Sequence, residues 1–219
     1  MAEPLPAPDQ PPGVARWPAT VAALIISALY LVLSDRYSAG PRWLLPVVAC
    51  GLLVPLWVFR LRGHAPLALA FARLVVVALT AAVASSAGML FWLLVHDQVQ
   101  PLNLFFNASL IWFANIITFA LWYWEIDGGG PAQRHPGRHA STDFAFPQQQ
   151  QDDDGIVEGW SPGFIDYLFL AFNTSTAFSP TDTLVLSRHA KVLMMAQALI
   201  SLLILAVLAA AAINKIAAG

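Results

Sequence analysis

Five apolar runs almost free of charge divide this chain, and they constrain its fold more than any other feature. They cover residues 17–34, 43–59, 74–95, 102–124 and 190–213, and only Lys191, near the start of the last, is charged. Each is close to the ~20 residues an α-helix needs to cross a hydrocarbon core roughly 30 Å thick. None alternates polar and apolar residues, which argues against barrel strands. Across 219 residues, 58% are hydrophobic and 11% charged. A soluble domain carries about 25% charged residues and could hardly cover its surface with so few. With a single cysteine, Cys50, and no glycine period, the chain is not a disordered, collagenous or disulfide-stapled protein. Its net charge of −2 gives no reason to expect nucleic acid as a partner. The expected class is all-α integral membrane, with about five transmembrane helices and the lipid bilayer as surroundings.

Outside these runs the sequence divides readily. Residues 1–16 hold Pro4, Pro6, Pro8, Pro11 and Pro12, the composition of a disordered tail. A cleavable signal peptide would want a basic start and a small-residue cleavage site, and neither is evident. Residues 17–101 form three transmembrane helices. Residues 102–219 form a second unit: a helix, a polar loop 125–162, a half-helix 163–176, an irregular return 177–186 and a final helix. In the loop, Gly128-Gly129-Gly130-Pro131, the glutamine run 148–151 and Asp152-Asp153-Asp154 argue against a packed core and predict an extended extramembrane connection. The half-helix rests on residues 164–172, FIDYLFLAF, followed by the polar Asn173-Thr174-Ser175-Thr176. That stretch is too short to span and suits a re-entrant segment. Ser161 is its expected N-cap, with Pro162 in the first position. Irregular backbone at membrane depth is tolerated only inside protein or beside water, so the return is the most informative part of the chain.

Few residues offer chemistry. The central parts of the five runs lack ionisable groups, with Arg73 and His96 taken as the ends of the third helix, which disfavours ion-coupled pumping. Asp166 reads as a first-turn carboxylate favoured by the helix dipole. Asp182 reads equally as a cap or as part of a carboxylate ring at a pore mouth. Asn107, Ile111, Asn115 and Thr118 share one helical face, and Gln197 and Ser201 lie one turn apart. Such groups usually join helices, with a water- or ion-lining role as the alternative. Seven of the eight tryptophans, Trp112 being the exception, fall near expected interfaces. His135 and His139 flank Pro136-Gly137 and make a poor metal pair. No nucleophile motif, phosphate loop or metal motif is present, so neither an enzyme nor a bound cofactor or metal is expected.

The order helix, half-helix, return, helix resembles the pore module of tetrameric cation channels of the potassium type. Thr176-Ala177 matches the first two residues of their filter, while Phe178 and Pro180 stand where the filter has glycines. A carbonyl cage is thereby disfavoured, because proline fixes φ and only glycine adopts the required conformations freely. From Asp166 to Asn214 the chain also resembles bacterial multi-pass membrane proteins of channel-like layout, most tellingly at Asp182 and Ser187-Arg188. These resemblances imply a bacterial inner (plasma) membrane, a homo-oligomer (a tetramer if the channel likeness holds) and monovalent cations as the transported class. They imply a path lined by Thr174, Ser175, Thr176, Ala177, Phe178, Ser179, Pro180, Thr181 and Asp182, with Asn107, Asn115, Gln197 and Ser201 lining it or joining helices. The expectation is an ion-channel-like protein with a degenerate filter; the alternative is a non-conducting scaffold or regulatory protein with a pore-like fold. Basic residues place the long loop in the cytoplasm for five spans, eight against three, whereas the channel layout places it outside.

Overall fold

The computed structural model describes residues 17–96, 99–131, 142–150, 160–176 and 182–217. Residues 1–16 and the histidine pair at 135 and 139 therefore lie outside the described residues, as do the acidic triplet and positions 177–181. The described architecture is all-α. Its helices are α1 (Trp17–Val32), α2 (Leu44–Leu61), α3 (Ala65–His96), α4 (Pro101–Ile126), the single turn α5 (Pro147–Gln150), α6 (Phe164–Thr176) and α7 (Arg188–Ala217). Two short strands, β1 (Phe144–Ala145) and β2 (Leu184–Val185), pair antiparallel, with Phe144 opposite Val185. Four helices, α2, α3, α4 and α7, are long and apolar enough to cross a membrane; α1 is apolar but has only 16 residues. Their outer surfaces are apolar too: Val54, Leu102, Leu199 and Leu202 are each 65–68% exposed. This build is consistent with a multi-pass membrane protein.

Local sequence sets where the helices begin and end. Gly63, at φ 76°, reverses the chain after α2, a conformation that costs glycine little. α3 then starts at Ala65, with Pro66 in its first turn, where a missing N–H costs nothing. Arg73, expected at the end of this helix, thus lies two turns inside it. Its side chain is exposed, as a long basic side chain permits by extending along apolar surface. The far end of α1 is tied to α4, because the Ser34 backbone N–H donates to Asn107 Oδ1 at 3.1 Å. The Asn107 amide nitrogen donates in turn to the Asn103 carbonyl at 2.7 Å. Between α1 and α3, the Tyr30 and Ser86 hydroxyls meet at 3.1 Å.

α4 is the centre of the assembly. Its apolar window is 61% buried, against 22–33% for the other three long helices, because α1, α3, α6 and α7 all pack on it. One core forms among α1, α2, α3, α4 and α7, around Ile26, Leu79, Leu90 and Ile204. A second forms where α4, α6, α7 and the strands meet, and it is largely aromatic: Phe119, Tyr123, Trp124, Phe144, Phe146 and Tyr167 are buried there.

This second core corrects one expectation and adds to another. Trp124, near the end of the α4 span, is 1% exposed and meets Phe164 and Tyr167 edge-on at 5.9 and 5.7 Å. The segment 125–162 is not wholly an extended connection. Glu125 and Ile126 complete α4, and Asp127, Asp143, Phe144 and Phe146 are buried. Phe144 and Phe146 place enough aromatic surface on Tyr167 to hold a strand that is otherwise surrounded by polar sequence.

Candidate functional site

α6 begins at Phe164, where the Asp166 carboxylate takes the Gly163 N–H at 2.7 Å. Asp166 thus satisfies one of the donors that a helix start leaves open, and the cap position is Gly163 rather than Ser161. The helix base is fixed by Asp127, which is fully buried at the end of α4. Asp127 Oδ1 accepts the backbone N–H groups of Asp143 and Phe144 at 2.7 and 3.2 Å, and Oδ2 accepts the Tyr167 hydroxyl at 2.5 Å. One carboxylate therefore joins α4, β1 and α6. It is aimed by Gly128, Gly129 and Gly130, all at positive φ, and a Cβ on Gly130 would lie 3.0 Å from the Glu125 carbonyl. The glycine run, read from sequence as a sign of loose chain, is a left-handed turn that only glycine makes without strain.

The other end of α6 is held by a buried polar node. Gln197 on α7 donates from Nε2 to the Ala171 carbonyl at 2.7 Å and to Ser175 Oγ at 2.8 Å. Its Oε1 accepts the Tyr123 hydroxyl from α4. Ser201 donates to Ser175 Oγ at 2.8 Å and receives Asn115 Nδ2 at 2.7 Å. Gln197, Asn115, Ser175 and Ser201 are each at most 1% exposed. In a region this apolar, these bonds fix the register of α6 against both long helices.

The expected site residues fall into three groups. Asn107, Asn115, Gln197 and Ser201 all join helices. Ser175 is not on an open surface: following Tyr167 and Ala171 at four-residue spacing, it shares their buried face and enters the node. Thr174 and Thr176 turn their hydroxyls onto their own helix, to the carbonyls of Leu170 at 2.8 Å and Phe172 at 3.2 Å. Asp182 is exposed, and the capping of α7 falls to Ser187, whose Oγ accepts the Ala190 N–H at 3.2 Å. Ala177, Phe178, Ser179, Pro180 and Thr181 lie outside the described residues.

Beyond β2, His189 Nε2 lies 2.8 Å from Asp143 Oδ1, with the histidine side chain 64% exposed. The Asp143 carbonyl accepts the Leu186 N–H at 2.9 Å, so the segment before β1 is also bound to the approach to α7.

A cleft among α1, α2, α3 and α4 brings Arg60 and Glu125 into one lining, otherwise mainly apolar. Glu125 is 4% exposed, and the Arg60 guanidinium lies 4.9 Å from the Trp57 ring centre. Trp57 Nε1 in turn donates to Thr20 Oγ1 at 3.3 Å. Both charges stand in the last turns of their helices, just beyond the charge-free runs, so a reading based on those runs passes over them. Asp127, Tyr123 and Tyr167 were missed for a related reason: each stands near a helix end, where polar groups are ordinary. Comparison with protein-family models, curated proteins and solved structures finds no match to this chain.

Proposed function

We propose that this chain is the protomer of a homo-oligomeric, channel-like protein of a bacterial inner membrane. α1 completes five spans, α6 is a re-entrant half-helix, and its polar end with residues 177–182 and α7 borders a path for monovalent cations. The observation that carries this reading is the seating of α6. Thirteen residues make a helix roughly 20 Å long at 1.5 Å per residue, too short for a ~30 Å core. It is nonetheless anchored at both ends, by Asp127 at its base and by Gln197 near its tip. Its outer face, Ile165, Phe169 and Phe172, is apolar and 71, 64 and 44% exposed, as suits lipid or a neighbouring subunit. The carbonyl end of a helix carries partial negative charge and favours cations near it. Further copies of the chain enclose the path at this tip; four copies follow from the likeness to the channel pore module.

The test is current through planar bilayers holding the purified oligomer. Asp182 is exposed, so Asp182→Asn should leave folding intact. It should lower cation conductance roughly tenfold at low salt, with the deficit shrinking as salt rises. Assembled protein that passes no current refutes conduction. It would favour the second reading, a non-conducting scaffold, which is supported by Phe178 and Pro180 at the places of the filter glycines.

A further inference from the structure

Hydroxyls on apolar helices usually satisfy themselves by bonding back one turn. In this chain Ser27, Thr80, Ser109 and Thr174 do so, to the carbonyls of Ala23, Val76, Phe105 and Leu170 at 2.7–2.9 Å. Thr118 on α4 does not. It is fully buried, and its Oγ1 has no hydrogen-bond partner among the described residues. One turn earlier, Asn115 has committed Nδ2 to Ser201 but leaves Oδ1 without a partner. A further turn back, the Trp112 Nε1–H is also unmatched, with its ring meeting Phe172 of α6 at 6.1 Å. A donor, an acceptor and a hydroxyl thus follow one another at three-residue spacing, each step turning about 60° around α4, so that Trp112 lies toward α6, Asn115 toward α7 and Thr118 beyond Asn115 on the far side from α6.

We infer that ordered water is bound on α4 between Asn115 and Thr118. One molecule donates to Asn115 Oδ1 and bonds Thr118 Oγ1. Side chains three apart on a helix have Cβ atoms roughly 5–6 Å apart, a gap that one water bridges with two ordinary hydrogen bonds. Buried polar groups left without partners are costly, and buried water commonly satisfies two to four of them. Water fits better than a cation, because neither Asn115 nor Thr118 carries a charge. The inference is independent of conduction. It links occupancy of the site to the seat of α6 through the Asn115–Ser201 bond.

The test uses the full chain in lipid, with a high-resolution map and a denaturation series. The wild-type map should show density between Asn115 and Thr118. Thr118→Val, nearly the same shape, should lose that density and raise the unfolding constant about fivefold, while Thr118→Ser keeps the density. A wild-type map with no density there overturns the inference without recourse to any variant. So does a Thr118→Val protein as stable as the wild type or more so, because a dry hydroxyl gains by removal. A wild-type midpoint that follows potassium or sodium but not N-methylglucamine, and loses that dependence in Asn115→Leu, would assign a cation and overturn water.

Discussion

Replacing Gln197 by methionine tests whether the polar node, rather than apolar contact, holds the half-helix tip. Methionine keeps length and volume but removes both donors and the acceptor. Two bonds to α6 are lost, to the Ala171 carbonyl and to Ser175 Oγ, together with the one from Tyr123. Hydrogen bonds between membrane helices average about 0.6 kcal/mol, so three give roughly 2 kcal/mol. Ala171 is within α6, Ser175 still receives Ser201, and the fully buried Tyr123 hydroxyl keeps the Thr174 side chain as a partner. Each former partner thus keeps a bond, so Gln197→Met should lose about 2 kcal/mol in all. Tyr123→Phe alone should cost about 1 kcal/mol. Combined, the two should cost less than their sum by about 0.6 kcal/mol, because both changes remove the same Tyr123–Gln197 bond. Reversible denaturation in bicelles, followed by tryptophan fluorescence, reads all three, since Trp112 and Trp124 pack against α6. Additive losses, or a Gln197→Met loss below about 0.5 kcal/mol, would refute the reasoning.

Two further outcomes follow from the same structure. Tyr167→Phe removes the α6 hydroxyl from Asp127 but leaves that carboxylate its two backbone N–H donors. It should cost about 1–2 kcal/mol and speed amide exchange in the first turns of α6 more than in α3. Uniform exchange across both helices would show that Asp127 does not anchor the base. Asn107→Ala removes the acceptor of the Ser34 N–H and should lose about 1 kcal/mol. Its exchange should quicken at the end of α1 and leave the α6–α7 node unchanged; loss of protection at Gln197 would contradict the separation of the two cores.

How much was readable in advance depended on the type of interaction. Long apolar runs located the four long helices, because solvation by lipid acts on every residue of a span and needs no partner. The run criterion still cut α3 short, because Arg73 ended the charge-free window although its backbone continues the helix. α6 was visible as an apolar stretch that ends in Asn-Thr-Ser-Thr. Its cap was misplaced, since Ser161 and Asp166 both offered plausible signals and only geometry chose between them. The loop misled most. Phe144 and Phe146 lie among glutamines, glycines and aspartates, and nothing local shows that they meet a tyrosine in α6.

The polar residues in the spans taught a narrower lesson. Asn107, Asn115, Gln197 and Ser201 stood out because an apolar helix has no local use for them, so their positions were legible and their partners were not. Tyr123 reaches Gln197 across 74 residues of chain, and Asn115 reaches Ser201 across 86. Lipid tails are as apolar as leucine, so burying a leucine between helices gains little over leaving it in the bilayer. A short helix such as α6 therefore cannot be positioned by apolar area, which would permit many registers. An amide with two donors and an acceptor aimed at Ala171, Ser175 and Tyr123 permits far fewer. On this argument Leu203, a half-buried leucine two residues beyond Ser201, should tolerate methionine, whereas Gln197 should not.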